Sequence, residues 1–159
     1  MVKQANNVLE FMGKDHDRLD KIFEQFRKTK NIGISKAKPF FHDFKTGLQR
    51  HIVWEEEILF PIFEDKTGMH DTGPTTVMRA EHRQIKGFLE KIKEKIEKGE
   101  ITGVDGLEKE LLEVLKAHND KEENILYPWI DGQTSGQEKE KAFTKMKNLQ
   151  PEKYNKCCD

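Results

Sequence analysis

The sequence predicts an all-α protein, an up-down-up-down four-helix bundle with a short C-terminal helical tail. Three observations lead there. Apolar residues recur at helical spacing through four long segments, and nothing sustains the alternation of a strand. Short loops rich in glycine join those segments, as antiparallel neighbours in a bundle require. The second half of the chain also restates the first.

Helix A is expected from about Asn7 to Lys28, with Leu9, Met12, His16, Leu19, Phe23 and Phe26 along one stripe. Asn31 and Gly33 end it. Ser35 is the candidate N-cap of helix B, which places Pro39 in the first turn, where a missing amide donor is tolerated. Helix B continues to about Glu64 and is followed by the loop KTGMHDTGPT. Helix C spans about Thr75 to Lys98, and the mixed charges of EKIKEKIEK mark a solvated outer face. Gly99, Gly103 and Gly106 precede helix D, expected from about Leu107 to Ile130. A charged amphipathic segment near Glu138 to Leu149 leads into a polar tail. The division expected is one bundle over 1–132 and a segment with tail over 133–159.

The internal repeat is the most informative feature. DHDRLDKIFEQF, from Asp15, aligns with EHRQIKGFLEKI, from Glu81; HIVWEEEILFP, from His51, aligns with HNDKEENILYP, from His118. Sixty-six positions separate His16 from His82, and sixty-seven separate His51 from His118. Each half is therefore a helical hairpin with one histidine on its first helix and His-x3-Glu on its second.

Composition narrows the function classes. The 159 residues suffice for one self-supporting core. Charged residues make up 36% and apolar ones 35%, yet 28 Lys and Arg against 29 Asp and Glu leave a net charge of −1. No overall field draws this chain to nucleic acid or an anionic membrane. The start lacks the apolar run of a signal peptide and no later stretch is long enough to span a bilayer, so a cytoplasmic location is expected. Cys157 and Cys158, adjacent near the end, cannot staple a fold and read as free thiols.

Positions four apart share a helix face, so His51 with Glu55, and His118 with Glu122, each direct two donors at one point. Phe44, Leu48, Ile58 and Leu59 continue the first stripe; Leu111, Leu115, Ile125 and Leu126 continue the second. Both stripes must turn inward, as must His16 and His82. Buried carboxylates without partners are costly, and a cation satisfies such a cluster economically. Six nitrogen and oxygen donors exceed one tetrahedral site and suit two metals, with Glu55 and Glu122 able to bridge. Imidazole and carboxylate without thiolate fit iron, manganese or zinc. Neither His-Glu-x-x-His nor Glu-x-x-His is present, nor a phosphate loop or a Gly-x-Ser-x-Gly elbow.

Other groups read as peripheral. His42 is out of phase with His51, and His70 lies in a loop. Glu56 and Glu57 read as outer-face acids, whereas Glu123 stays open as an alternative ligand or as an acceptor behind one. Asp15 and Glu81 precede candidate histidines, but neighbouring helix positions diverge, so a supporting role is the lesser reading. Met12, Met78, Trp54, Phe60, Tyr127 and Trp129 read as packing; the Tyr127 phenol gains importance if it reaches the metals.

The order His, His-x3-Glu, His, His-x3-Glu, covering about Leu9 to Ile130, resembles the hemerythrin-like HHE cation-binding family. Carried over position by position, the resemblance puts the ligands at His16, His51, Glu55, His82, His118 and Glu122. It implies two non-haem iron ions in a bridged di-iron centre, replaceable by zinc or manganese, with a small diatomic or peroxide ligand. The oxygen-carrying members have a further histidine one turn before that of the third helix, where this chain has Met78. Their fourth helix has an acid five residues after its histidine, the place of Glu123 here. The set is closer to bacterial hemerythrin-like and iron-centre-repair proteins, without the Cys-containing N-terminal domain many of the latter carry. Binding of O2 or a related ligand for sensing, storage or scavenging is expected; NO or peroxide reactivity, iron-centre repair, or a metal-stabilised interaction module are the alternatives.

Overall fold

The structure is a computed structural model, and it describes residues 6–156; Cys157 and Cys158 lie outside them. Every regular element among the described residues is helical. Four long helices carry the fold: α1 (Val8–Lys30), α2 (Ile34–Trp54), α4 (Pro74–Glu97) and α5 (Val104–Lys121). The shorter α3 (Phe60–Thr67) and α6 (Tyr127–Gln133) prolong α2 and α5. Then come α7 (Gly136–Lys147) and α8 (Pro151–Asn155).

Local chemistry sets the ends. Asn7 caps α1 by accepting from the Glu10 amide at 2.7 Å, and Asp131 of α6 accepts from the Val8 and Leu9 amides at 2.7 and 3.0 Å. Gly68 closes α3 with φ 76°, a left-handed conformation that glycine adopts without a Cβ penalty. Helix α2 corrects the sequence reading: its cap is Gly33, so Ser35 lies inside the first turn and Pro39 in the second. The earlier start needs no side-chain cap, since the Lys36 and Ala37 amides both reach the Gly33 carbonyl at 3.1 Å.

Two apolar clusters form the interior. One gathers Leu19, Phe23, Phe26, Phe44, Ile85, Leu89, Leu111 and Leu115; the other gathers Met12, Trp54, Leu59, Phe60, Met78, Leu126 and Tyr127. Helices α1 and α4 pass from the second cluster to the first, and α2 and α5 return. Helix α1 packs along α2, and α4 along α5. Gly47 lets the first pair approach closely, because a Cβ there would lie 2.8 Å from Leu19 Cδ2. Helix α7 buries Ala142 and Met146 in the second cluster, where the Trp54 indole donates to the Met146 carbonyl at 3.2 Å.

The continuous α-helices expected for B and D are each interrupted by a π turn, Glu55–Leu59 and Glu122–Leu126. The Phe60 amide donates to the Glu55 carbonyl and the Tyr127 amide to that of Glu122. Pro61 and Pro128 follow directly, and the wider turn relieves the clash of their rings with the preceding turn. The extra residue also shifts the helical phase. Leu126 is buried as expected, whereas Ile125, expected beside it on the inward stripe, is 61% exposed.

Lys30 and Glu108 form a buried ion pair. Lys30, 4% exposed, donates to Glu108 at 2.6 Å and to Asp105, tying the end of α1 to the start of α5. Lys30→Ala leaves the buried Glu108 carboxylate with Arg27 at 3.6 Å as its remaining partner and should cost about 3 kcal/mol. The double variant Lys30→Met, Glu108→Leu should recover most of that loss in urea unfolding. A single variant as stable as wild type would show that Glu108 finds another partner.

Candidate metal centre

Between the two apolar clusters lies one polar layer, where each long helix crosses from one core to the other. Its members are the six candidates of the sequence, all buried: Glu55, His82 and Glu122 show no exposure, and His16, His51 and His118 show at most 4%. The carboxylates span the hairpins. Glu55 Oε1 lies 3.5 Å from Nε2 of both His51 and His82. Glu122 Oε1 lies 3.5 Å from His16 Nε2 and 3.2 Å from His118 Nε2. The donors form two groups, Glu55–His82–His118–Glu122 and His16–His51–Glu122, sharing Glu122.

Both nitrogens of His16, Oε1 of Glu55 and both oxygens of Glu122 are buried without a hydrogen-bond partner. Each such atom would cost about 1–3 kcal/mol if left unmatched. Their chemistry is that of hard and borderline cation ligands. The His82 and His118 Nε2 atoms are 3.0 Å apart. Two donors at right angles on one ion have about that spacing when metal–nitrogen lengths are about 2.1 Å. The residues therefore fit a pair of cations.

The outer nitrogens explain how the rings are aimed. His51 Nδ1 meets Asp15 at 2.8 Å, His82 Nδ1 meets Glu56 at 2.8 Å, and His118 Nδ1 meets Glu81 at 3.2 Å. His16 Nδ1 faces Glu123 at 3.6 Å. An ionised carboxylate only accepts, so the three bonded rings carry their proton on Nδ1 and leave Nε2 toward the centre. Glu56 is thus no outer-face acid, and Asp15 and Glu81 do support histidines, each on the following helix. The repeat held the signal for Glu56, because it aligns Glu56 with Glu123. Glu122 faces the cluster while Glu123 stands behind His16. His42 and His70 are exposed, as expected.

Tyr127, fully buried, donates its hydroxyl to Glu55 Oε2 at 3.0 Å and lies 3.3 Å from His51 Nε2. Burial first, and then the Glu55 charge, push its phenol well above the ordinary range. Its counterpart in the repeat is Phe60, stacked on His82 at 5.6 Å. Met12 and Met78, also counterparts, are buried in the second apolar cluster.

Charge in the layer is finely set. Burial pushes the Glu55 carboxyl up, but the neighbouring His51, His82 and His118 outweigh it and lower the value to about 2. Burial and the neighbouring His82 charge lower His118 to about 4. Burial opposes protonation of His82 too, yet Glu55 and Glu56 raise it above its ordinary value. Glu55 and Glu56 thus favour a proton on His82, while burial and that neighbour disfavour one on His118.

The hemerythrin HHE cation-binding domain family matches residues 7–130. Among curated proteins, the iron-sulfur cluster repair protein YtfE of Escherichia coli O157:H7 is 25% identical over 142 residues. Its counterparts in E. coli O81 and Escherichia fergusonii show the same identity. The match covers 76% of this chain, which spans 61% of the length of these relatives. No solved structure matches it significantly.

Asp15 offers a test independent of metal. Burial raises its carboxyl, but bonds and charges from His51 and then Arg18 bring it down to about 2 from 3.8. A depressed carboxyl stabilises the fold above its unfolded value and loses that contribution as pH falls toward its folded value. Metal-free Asp15→Asn should be about 1.5–3 kcal/mol less stable than wild type at neutral pH. Urea titrations should show the gap closing between about pH 3.8 and about 2. A gap constant across that window would assign the loss to something other than this carboxylate.

Proposed function

The chain belongs to the hemerythrin HHE cation-binding domain family, and from that premise we propose that it is a di-iron protein of the iron-centre-repair kind. In this reading His16, His51, Glu55, His82, His118 and Glu122 hold two iron ions, with zinc or manganese as substitutes, in an up-down-up-down bundle. The observation that carries it is the layer of unpartnered buried donors, with two carboxylates each reaching histidines of both hairpins. The alternating passage of the long helices between the two cores supports the bundle order. Similarity to iron-sulfur cluster repair proteins over 76% of the chain supports the function.

When bound, such an iron pair supplies one-electron redox chemistry and Lewis acidity toward NO, peroxide or O2. The protein's own part is to aim the Nε2 atoms of His51, His82 and His118 through carboxylates behind them and to hold Glu55 with the Tyr127 hydroxyl. It also keeps water away with the apolar walls of Met12, Met78 and Phe60. Six donors leave positions on two six-coordinate ions for an exchangeable ligand, and neither methionine at the layer's edge offers a hard donor to fill them. Binding of O2 for sensing or storage is the second reading, favoured by the dry cores on either side of the layer.

Chain purified from iron-replete cells should contain close to two metal ions, mainly iron. His118→Ala should lower metal content and thermal stability together, and His42→Ala should change neither. Glu55 and Glu56, acting against burial, favour a proton on His82 that loading displaces, so affinity should fall as pH is lowered. Metal analysis finding at most one ion per chain would remove the dinuclear reading.

Function separates on reactivity. Mixing reduced, loaded protein with NO or peroxide should give rapid spectral change, and incubation with a cluster-depleted iron–sulfur protein should restore that protein's absorbance. Reversible O2 binding without iron transfer would favour the second reading. Inertness to all three ligands would leave only a metal-stabilised module.

A further inference from the structure

A buried metal layer needs a path to solvent, and one cleft reaches it. A cavity of about 370 Å³ between α1 and α5 is lined by Asp17, Asp20, Glu24, Asp120 and Glu123, with His16 at its buried end. Clefts around Lys30 and Asp105, around His42 and Tyr154, and around Lys139 and Phe143 are lined by none of the six donors.

Two observations mark what the cleft would carry. Its wall sets five carboxylates against two bases, Arg27 and Lys116. Both bases already answer acids: Arg27 lies 3.6 Å from Glu108 and Lys116 lies 3.0 Å from Asp120. Independently, His16 is 4% exposed and has no hydrogen bond on either nitrogen, whereas the other three histidines have Nδ1 fixed. It is the least committed of the four histidines, and it lines this cleft.

The geometry points to this cleft as the route by which divalent metal enters and leaves the layer, His16 being the first donor an arriving ion meets. This rests on the six residues holding metal. Carboxylates along a low-dielectric wall concentrate cations and speed their capture, and they do nothing for a neutral diatomic. Glu123, behind His16, offers the ion a carboxylate at the last step before Glu122. A protein that gives up iron needs such a path, because the apolar clusters above and below the layer exclude a hydrated ion.

The test measures rates on the full chain. Protein stripped by chelation is mixed with Co²⁺, whose absorption reports ligation, and loaded protein is mixed with excess chelator. Asp17→Asn, Asp20→Asn and Asp120→Asn together should leave final metal content unchanged. They should slow uptake about tenfold and weaken its salt dependence. Chelator-driven loss should slow as well. Replacing acids outside the cleft (Glu97→Gln with Glu140→Gln) should alter neither rate by more than about twofold.

Normal loading at unchanged rates in the triple variant would overturn the route alone, as would equal slowing by the outside pair. Slower NO reaction with unchanged metal rates would make the cleft a neutral-ligand path and overturn it too. A wild-type chain that takes up no Co²⁺ would overturn both this route and the metal-centre reading. That outcome is distinguishable, because it fails before any variant is compared.

Discussion

Lone pairs without protons to meet them are the constraint around which this protein is arranged. Six nitrogen- and oxygen-bearing side chains are enclosed between two apolar cores, and three of them retain buried atoms with no hydrogen-bond partner. The helices cannot relieve this by turning, because the stripes that carry these residues also carry Leu19, Leu48, Leu89 and Leu115. Packing energy thus holds the donors in place, and a cation of matching chemistry would return the desolvation cost as binding energy.

Order in the layer comes from a pseudo-twofold arrangement that the repeat encodes. Asp15 and Glu81 each hold the histidine of the next helix, while Glu56 and Glu123 each face a histidine of the other hairpin. Every ring is therefore addressed by a carboxylate from another helix, so aiming the donors and joining the helices are one set of interactions. The π turns belong to the same device. They begin at Glu55 and Glu122, and the added residue lets each glutamate face the centre while its successor faces a neighbouring histidine.

Symmetry is broken where chemistry would need it. Tyr127 stands against Glu55 and His51, and its counterpart Phe60 only stacks on His82. One donor group holds two histidines and two carboxylates; the other holds two histidines and Glu122, with His16 at the end of the acidic cleft. Two positions so differently surrounded would give the halves of a dinuclear centre different affinities and different access to solvent.

The sequence by itself determined the helical class, the hairpin repeat and the six inward-facing donors, because each rests on spacing within a single helix. His-x3-Glu occupies one face whatever surrounds it, and an apolar stripe must be buried somewhere. His42 and His70 are exposed, as the same local grounds lead one to expect. What the tertiary structure decided lies between helices or beyond regular geometry. Glu56 read as a surface acid because an unbroken α-helix would turn it outward; the π turn and the approach of α4 bring it to His82. Asp15 and Glu81 seemed poorly placed beside their own histidines, yet each serves a histidine on another helix, which spacing along one chain segment cannot reveal. Of the two residues expected on the inward stripe beyond Glu122, Leu126 is buried and Ile125 is exposed, within the π turn. The choice between Glu122 and Glu123, the reach of Tyr127 to Glu55 and the cleft ending on His16 all depend on distances across the bundle. Only the packing of one helix against another fixes those.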